Sequence, residues 1–317
     1  MDVRTIVNEE AVVFGEPASL VGIVTPSGSA EAGHIQTGVV LLNPGIVHRV
    51  GAGRIYVKVA RALAAKGFTA LRFDFSGIGD SPVRRDNLQF PKSAIAEARR
   101  AMDFLAQTRG TEQFILLGGC SGARVAFDTA CCDTRVIGAL LINFPSIEDE
   151  DQSVKENAQR AAFTYYRRFA FFDLRSWRRL ITGKVRYGHL ASTLWQEMKR
   201  RTCVNEAISK QAEQFRLHLR SLVDRNIQLT FICSEGDHRL DDLRQSGGKL
   251  LKQLSAGRRV ALDIIRRSDH TFSSLCDQRR LMHVLVKRAD AMAQSTSEVR
   301  KPSFVAATSS VLPELQP

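Results

Sequence analysis

The chain has 317 residues, enough for one large α/β domain carrying an insertion. Hydrophobic residues make up 44% and charged residues 25%, an ordinary globular balance, and no apolar run approaches the ~18 residues of a membrane span. The net charge is +12 and unevenly placed: residues 151–225 hold 16 Lys/Arg against 7 Asp/Glu, a field that favours anionic partners unless it is only a solvated helical face.

Acidic residues (Asp2, Glu9, Glu10) stand where a secretory signal would be apolar, so a cytoplasmic protein is expected. The six cysteines form no CxxC pair and no Cys/His ligand spacing. A disulfide framework and a zinc site are therefore excluded as expectations, and neither a metal nor a cofactor is called for.

In chain order, AVVF and LVGIV read as an antiparallel hairpin and GVVLLNPG as a buried strand running into a turn. RIYVKVARALAAKG places Ile55, Val59, Leu63 and Ala64 on one helical face and closes at Gly67. TALRF is a strand leading into the loop DFSGIGDS; SAIAEARRAMDFLAQTRG is an amphipathic helix; QFILLGG and GALLINFP are further strands. From Ile147 to Asn226 strand patterns vanish, and the stretch is helical, basic and aromatic. IQLTFICSEGD and RVALDIIRRSDHTF restore strand and loop, and CDQRRLMHVLVKRADAMAQ makes a final helix. Alternating strands and helices argue for a doubly wound, mostly parallel sheet interrupted by a helical cap. The expected division is a first core part over 1–146, a cap over 147–226, a second core part over 227–294, and a disordered Ser/Pro-rich tail over 295–317.

Three features fall at the carboxyl ends of strands, where open α/β sheets build their sites. LLGGCSGARVA reads as a nucleophile elbow, which needs small residues two before and two after the nucleophile. Cys120 has Gly118 and Gly122; Ser121 has Gly119 and Ala123. Both pass, but the apolar strand FILL ends directly at Gly118, which favours Cys120 and leaves Ser121 as the alternative. In SEGD, Asp237 follows a strand and a glycine and is placed to orient an imidazole; Glu235, Asp241 and Asp242 compete. His270, in SDHTF, completes the order nucleophile, acid, histidine. His48 lies in a loop bordering the same region. The glycine spacing of SGIGDS matches neither phosphate-binding motif, so that loop reads as a packed turn.

The run from NPG through RFDFSGIGDS, the elbow GGCSGA, the SEGD acid and the SDHTF histidine resembles the α/β-hydrolase superfamily over nearly the whole chain except the tail. The elbow departs from G-x-S-x-G by carrying Cys, as in dienelactone hydrolases and some acyltransferases of the fold. ARALAAKGFTALRFDFSGIGDS, the G-x-C-x-G elbow and SWRRLITGKV are similar to hydrolases encoded with bacterial exopolysaccharide and exosortase systems. The resemblance implies an α/β-hydrolase fold and an ester or thioester hydrolase with a Cys120–His270–Asp237 triad passing through an acyl-cysteine. The N–H groups of Ile46 and Ser121 are the expected oxyanion donors, with the Ser121 side chain incidental. Proline in NPG, in place of the commoner His-Gly, departs from the family at this loop.

The same triad would serve an acyltransferase with an alcohol or amine acceptor. Trp177, Arg178 and Arg179 in the basic cap are candidate contacts to a small-molecule or carrier-linked anionic acyl substrate. A non-catalytic binding protein on this fold would lack triad members, and none is missing. Nucleic-acid binding would rest on charge alone, with no recognised module.

Overall fold

The computed structural model describes residues 8–16, 20–28, 37–86, 88–145, 210–235, 237, 239–257 and 259–300. Eight strands form one sheet: β1 (Glu10–Phe14), β2 (Leu20–Thr25), β3 (Thr37–Leu42), β4 (Thr69–Phe73), β5 (Gln113–Gly119), β6 (Val136–Ile142), β7 (Gln228–Ser234) and β8 (Val260–Ile265). The described helices are α1 (Ile55–Ala64), α2 (Phe90–Arg109), α3 (Ser121–Cys132), α4 (210–224), α5 (Arg239–Ala256) and α6 (Leu275–Arg300). The sheet order is β1-β2-β4-β3-β5-β6-β7-β8. The β1–β2 and β2–β4 pairings are antiparallel, and every later pairing is parallel.

The central strands are near-continuous apolar runs because helices cover both faces. Alternation then divides their side chains. Val39 and Leu41 of β3 and Ile115 and Leu117 of β5 point to the α1/α6 layer, where they pack with Val59, Leu63, Leu281 and Leu285. Val40, Leu42, Phe114 and Leu116 point to the opposite layer, built with α2, α3 and α4 around Phe127, Phe144, Phe215 and Phe231. Asp237, His270 and the turn at Cys120 follow β7, β8 and β5, so one edge of the sheet gathers them.

Several boundaries differ from the sequence reading. Residues 210–224, assigned to the cap, form a helix of the sheet domain: Phe215, Leu219 and Leu222 lie on one helical face and are buried in the larger core. Helix α5 went unread because Gly247 and Gly248 interrupt it, and Gly248 sits at φ 52 and ψ −138 inside a kink. Pro91 in the first turn starts α2 at Phe90, three residues before the expected Ser93. The final helix continues to Arg300, past the 295 boundary assigned to the tail. Among the described residues, no helix is long and apolar enough to cross a membrane.

Candidate active site

Strand β5 ends at Gly119, helix α3 begins at Ser121, and Cys120 makes the whole turn at φ 50 and ψ −122. A side chain rarely tolerates this region, and the surroundings over-determine it. The Cys120 N–H donates to the Ile142 carbonyl at 2.8 Å, while its own carbonyl accepts the N–H groups of Ala123 and Arg124. Space is equally tight on either side. A Cβ on Gly118 would lie 2.1 Å from the Gly122 carbonyl oxygen, and one on Gly122 would lie 2.3 Å from the Leu42 carbonyl oxygen. Gly119 is different, with its nearest atom 3.4 Å from such a Cβ. The obligatory small residues therefore flank Cys120 and not Ser121.

Asp237 and His270 meet Cys120 from the neighbouring loops. His270 Nδ1 lies 2.5 Å from Asp237 Oδ2, and the imidazole and Cys120 line the same cavity. The competing acids are elsewhere: Glu235 accepts the Arg267 N–H, and Asp241 is largely exposed beside Arg244. His48 is exposed.

The electrostatics favour charge separation between sulfur and imidazole. Burial pushes the Cys120 thiol up, but the His270 hydrogen bond, the Arg239 charge and the Ser121 N–H together leave it below the ordinary thiol value. The neighbouring Cys120 sulfur, opposed by burial and aided by Asp237, raises His270. Burial raises Asp237, but the His270 bond, the Arg239 N–H and the two neighbouring positive groups together leave the carboxyl below its ordinary value.

Two residues of the site were not singled out from sequence. Arg239, the first residue of α5, places Nη1 3.2 Å from His270 Nδ1 and 3.0 Å from Nε2, and 4.0 Å from Asp237 Oδ2. Its helix was the one not read. Asn143, just past β6, adopts φ 44. Its Nδ2 donates to the His270 carbonyl at 2.8 Å, and its Oδ1 accepts the Ser234 N–H at 2.9 Å and the Ser234 hydroxyl at 3.3 Å. An asparagine directly after an apolar strand is the available signal, since Asn tolerates positive φ better than most residues.

The loop after β3 holds Ile46, the expected oxyanion donor, and braces the elbow. Ile46 is 91% exposed at the rim of the site. The link to the elbow is made one residue earlier, where the Gly45 N–H donates to Ser121 Oγ at 2.6 Å and Gly45 takes φ 53. The Ser121 side chain is thus part of the frame, while its backbone N–H opens α3 directly after the Cys120 sulfur. Buried Tyr56 ties the same two elements: its hydroxyl donates to the Leu42 carbonyl at 2.9 Å and accepts the Gly119 N–H at 3.0 Å. Burial pushes the Tyr56 phenol far up, so it remains a donor.

The SGIGDS turn anchors this loop from behind. Asp74 is fully buried, accepts the Arg49 N–H at 2.5 Å and the Asp80 N–H at 3.1 Å, and pairs with the Arg49 guanidinium. A Cβ on Gly79 would lie 2.3 Å from Asp74 Oδ2, which explains that glycine by packing. Trp177, Arg178 and Arg179 lie outside the described residues. Among the described residues, no group of three or more His, Cys, Asp or Glu is arranged to hold a metal ion. A cavity of about 340 Å³ opens beside Cys120 and His270.

Solved structures share this architecture. The chain is similar to an esterase from Pyrococcus furiosus (TM-score 0.53, 11% identity, covering 92% of this chain and 91% of that one). It is similar to an alpha-beta serine hydrolase homologue from Coxiella burnetii (TM-score 0.51, 14% identity, covering 88% and 96%). A proline iminopeptidase from Mycobacterium smegmatis is comparable (TM-score 0.53, 13% identity, covering 90% and 100%). At such identities the likeness is one of fold alone. No curated protein matches the chain by sequence. The family model described as alpha/beta hydrolase fold matches residues 38–247, more than half of the chain, and with the elbow and sheet order already in place the protein belongs to the alpha/beta hydrolase family.

Proposed function

We propose that the protein is a hydrolase that cleaves a carboxylic ester or thioester through an acyl-Cys120 intermediate. The observation that carries this reading is Cys120 at a strained elbow, sharing one cavity with the His270 imidazole that Asp237 holds. His270 takes the thiol proton, and Sγ attacks the substrate carbonyl carbon. The oxyanion forms against the Ser121 N–H, with the Ile46 N–H as the partner donor, while the Gly45 N–H is already given to Ser121 Oγ and braces the loop. Collapse breaks the bond to the leaving alcohol or thiol, which receives the proton from His270. Water, deprotonated by the same imidazole, then attacks the acyl-cysteine; the acid product leaves and the thiol is restored. Asp237 holds the imidazole tautomer throughout.

The test compares wild type, Cys120→Ala and Ser121→Ala on p-nitrophenyl acetate and an acetyl thioester, with iodoacetamide and fluorophosphonate labelling alongside. The expected outcome is loss of about 10³-fold or more in kcat for Cys120→Ala. Hydrolysis by Ser121→Ala should remain sensitive to iodoacetamide. Fluorophosphonate labelling and activity lost only in Ser121→Ala would overturn the reading.

A further inference from the structure

We propose that the cavity behind Cys120 is a pocket for an uncharged aliphatic acyl chain, whose length is set by Leu285 and Val59. This names the substrate class of the site above and rests on Cys120 being the acyl acceptor. The burial of the lining residues gives the cavity a direction. Gly45, Ile46, His270 and Thr271 are exposed at its mouth, and Cys120 stands partly buried behind them. Val59 and Leu285 are fully buried, and Leu281 nearly so. The space therefore runs inward from the sulfur, between α1 and α6, into the apolar layer on that face of the sheet.

The polar side chains on its wall, beyond Cys120 and His270, are already bonded elsewhere. The Tyr56 hydroxyl joins the Leu42 carbonyl to the Gly119 N–H. The Asn143 amide is bonded at both ends, to Ser234 and to the His270 carbonyl. Thr271 Oγ1 donates to Asp269. A carboxylate or hydroxyl carried into this space would lose water without gaining a partner, whereas methylenes would gain apolar contact. At about 340 Å³ the cavity lies at the small end of pockets that take small-molecule ligands, so chain length should be bounded as well as favoured.

The experiment separates the pocket from the chemistry. Affinities of a series of alkan-2-ones, which carry no leaving group, are measured by calorimetric titration on wild type, Leu285→Ala and Leu285→Phe. Hydrolysis of p-nitrophenyl esters from acetate to dodecanoate is followed in parallel. In wild type the affinity should rise about fourfold per methylene, the equivalent of about 0.8 kcal/mol, and then level off. Leu285→Ala should move the levelling point to longer chains and Leu285→Phe to shorter ones, opposite shifts that general loss of stability does not produce. If Leu285→Phe does not fold, Val59→Phe replaces it. Affinity independent of chain length in wild type would overturn the pocket even if esters are hydrolysed. Length-dependent affinity with no hydrolysis of any ester would leave the pocket standing and remove the reading of Cys120 instead.

Discussion

Cys120 pays for its position with a backbone conformation that costs roughly 1–3 kcal/mol, and receives in return three groups that stabilise its anion. Two of them are testable by the pH dependence of alkylation. The rate of iodoacetamide reaction at Cys120 should titrate below an ordinary thiol, because the His270 bond, the Arg239 charge and the Ser121 N–H outweigh burial. Removing a positive charge or a donor disfavours the thiolate, so the midpoint should move up in both His270→Ala and Arg239→Gln. A midpoint unmoved or lowered in Arg239→Gln would remove the guanidinium from this role. Cys120, Asp237 and His270 were legible in the sequence because each follows a strand in a fixed order. Asn143 and Arg239 were not, because their contributions are contacts between loops and no spacing encodes those.

The elbow is the element whose register the structure argues most sharply, through glycines and not through the reactive side chains. Gly122→Ala should lower stability by about 3 kcal/mol or more in urea unfolding, since its Cβ would press on the Leu42 and Asn43 carbonyls of an immobile strand end. Gly119→Ala should cost less than about 1 kcal/mol, because its nearest neighbour is the Tyr56 hydroxyl at 3.4 Å. The reverse order would place the elbow at Ser121. Strands β3, β5 and β6 could be read directly because burial on both faces makes them continuous apolar runs. Helix α5 could not, because its Gly-Gly kink imitates a loop.

Across the whole molecule, the chain leaves the sheet after β6 and returns through α4, whose Phe215 closes a ring cluster with Phe127, Phe144 and Phe231. The two sequence-distant parts therefore share one core. Phe215→Ala should cost about 3–5 kcal/mol and lower the Tm of the sheet domain as a unit. A substitution cost near zero would return α4 to the cap. The buried Asn143 amide, next in sequence to Phe144, joins the same two parts at the carboxyl end of the sheet, holding the backbone of the histidine loop and the start of the β7 exit. An amide carries no charge between acid and alkaline pH, so this clasp stays closed while the sulfur, imidazole and carboxylate around it exchange protons. The backbone that carries His270 is thereby held in place independently of the ionisation of the side chains around it, so a pH–rate profile measured on this protein reads the side-chain protonations on a fixed loop.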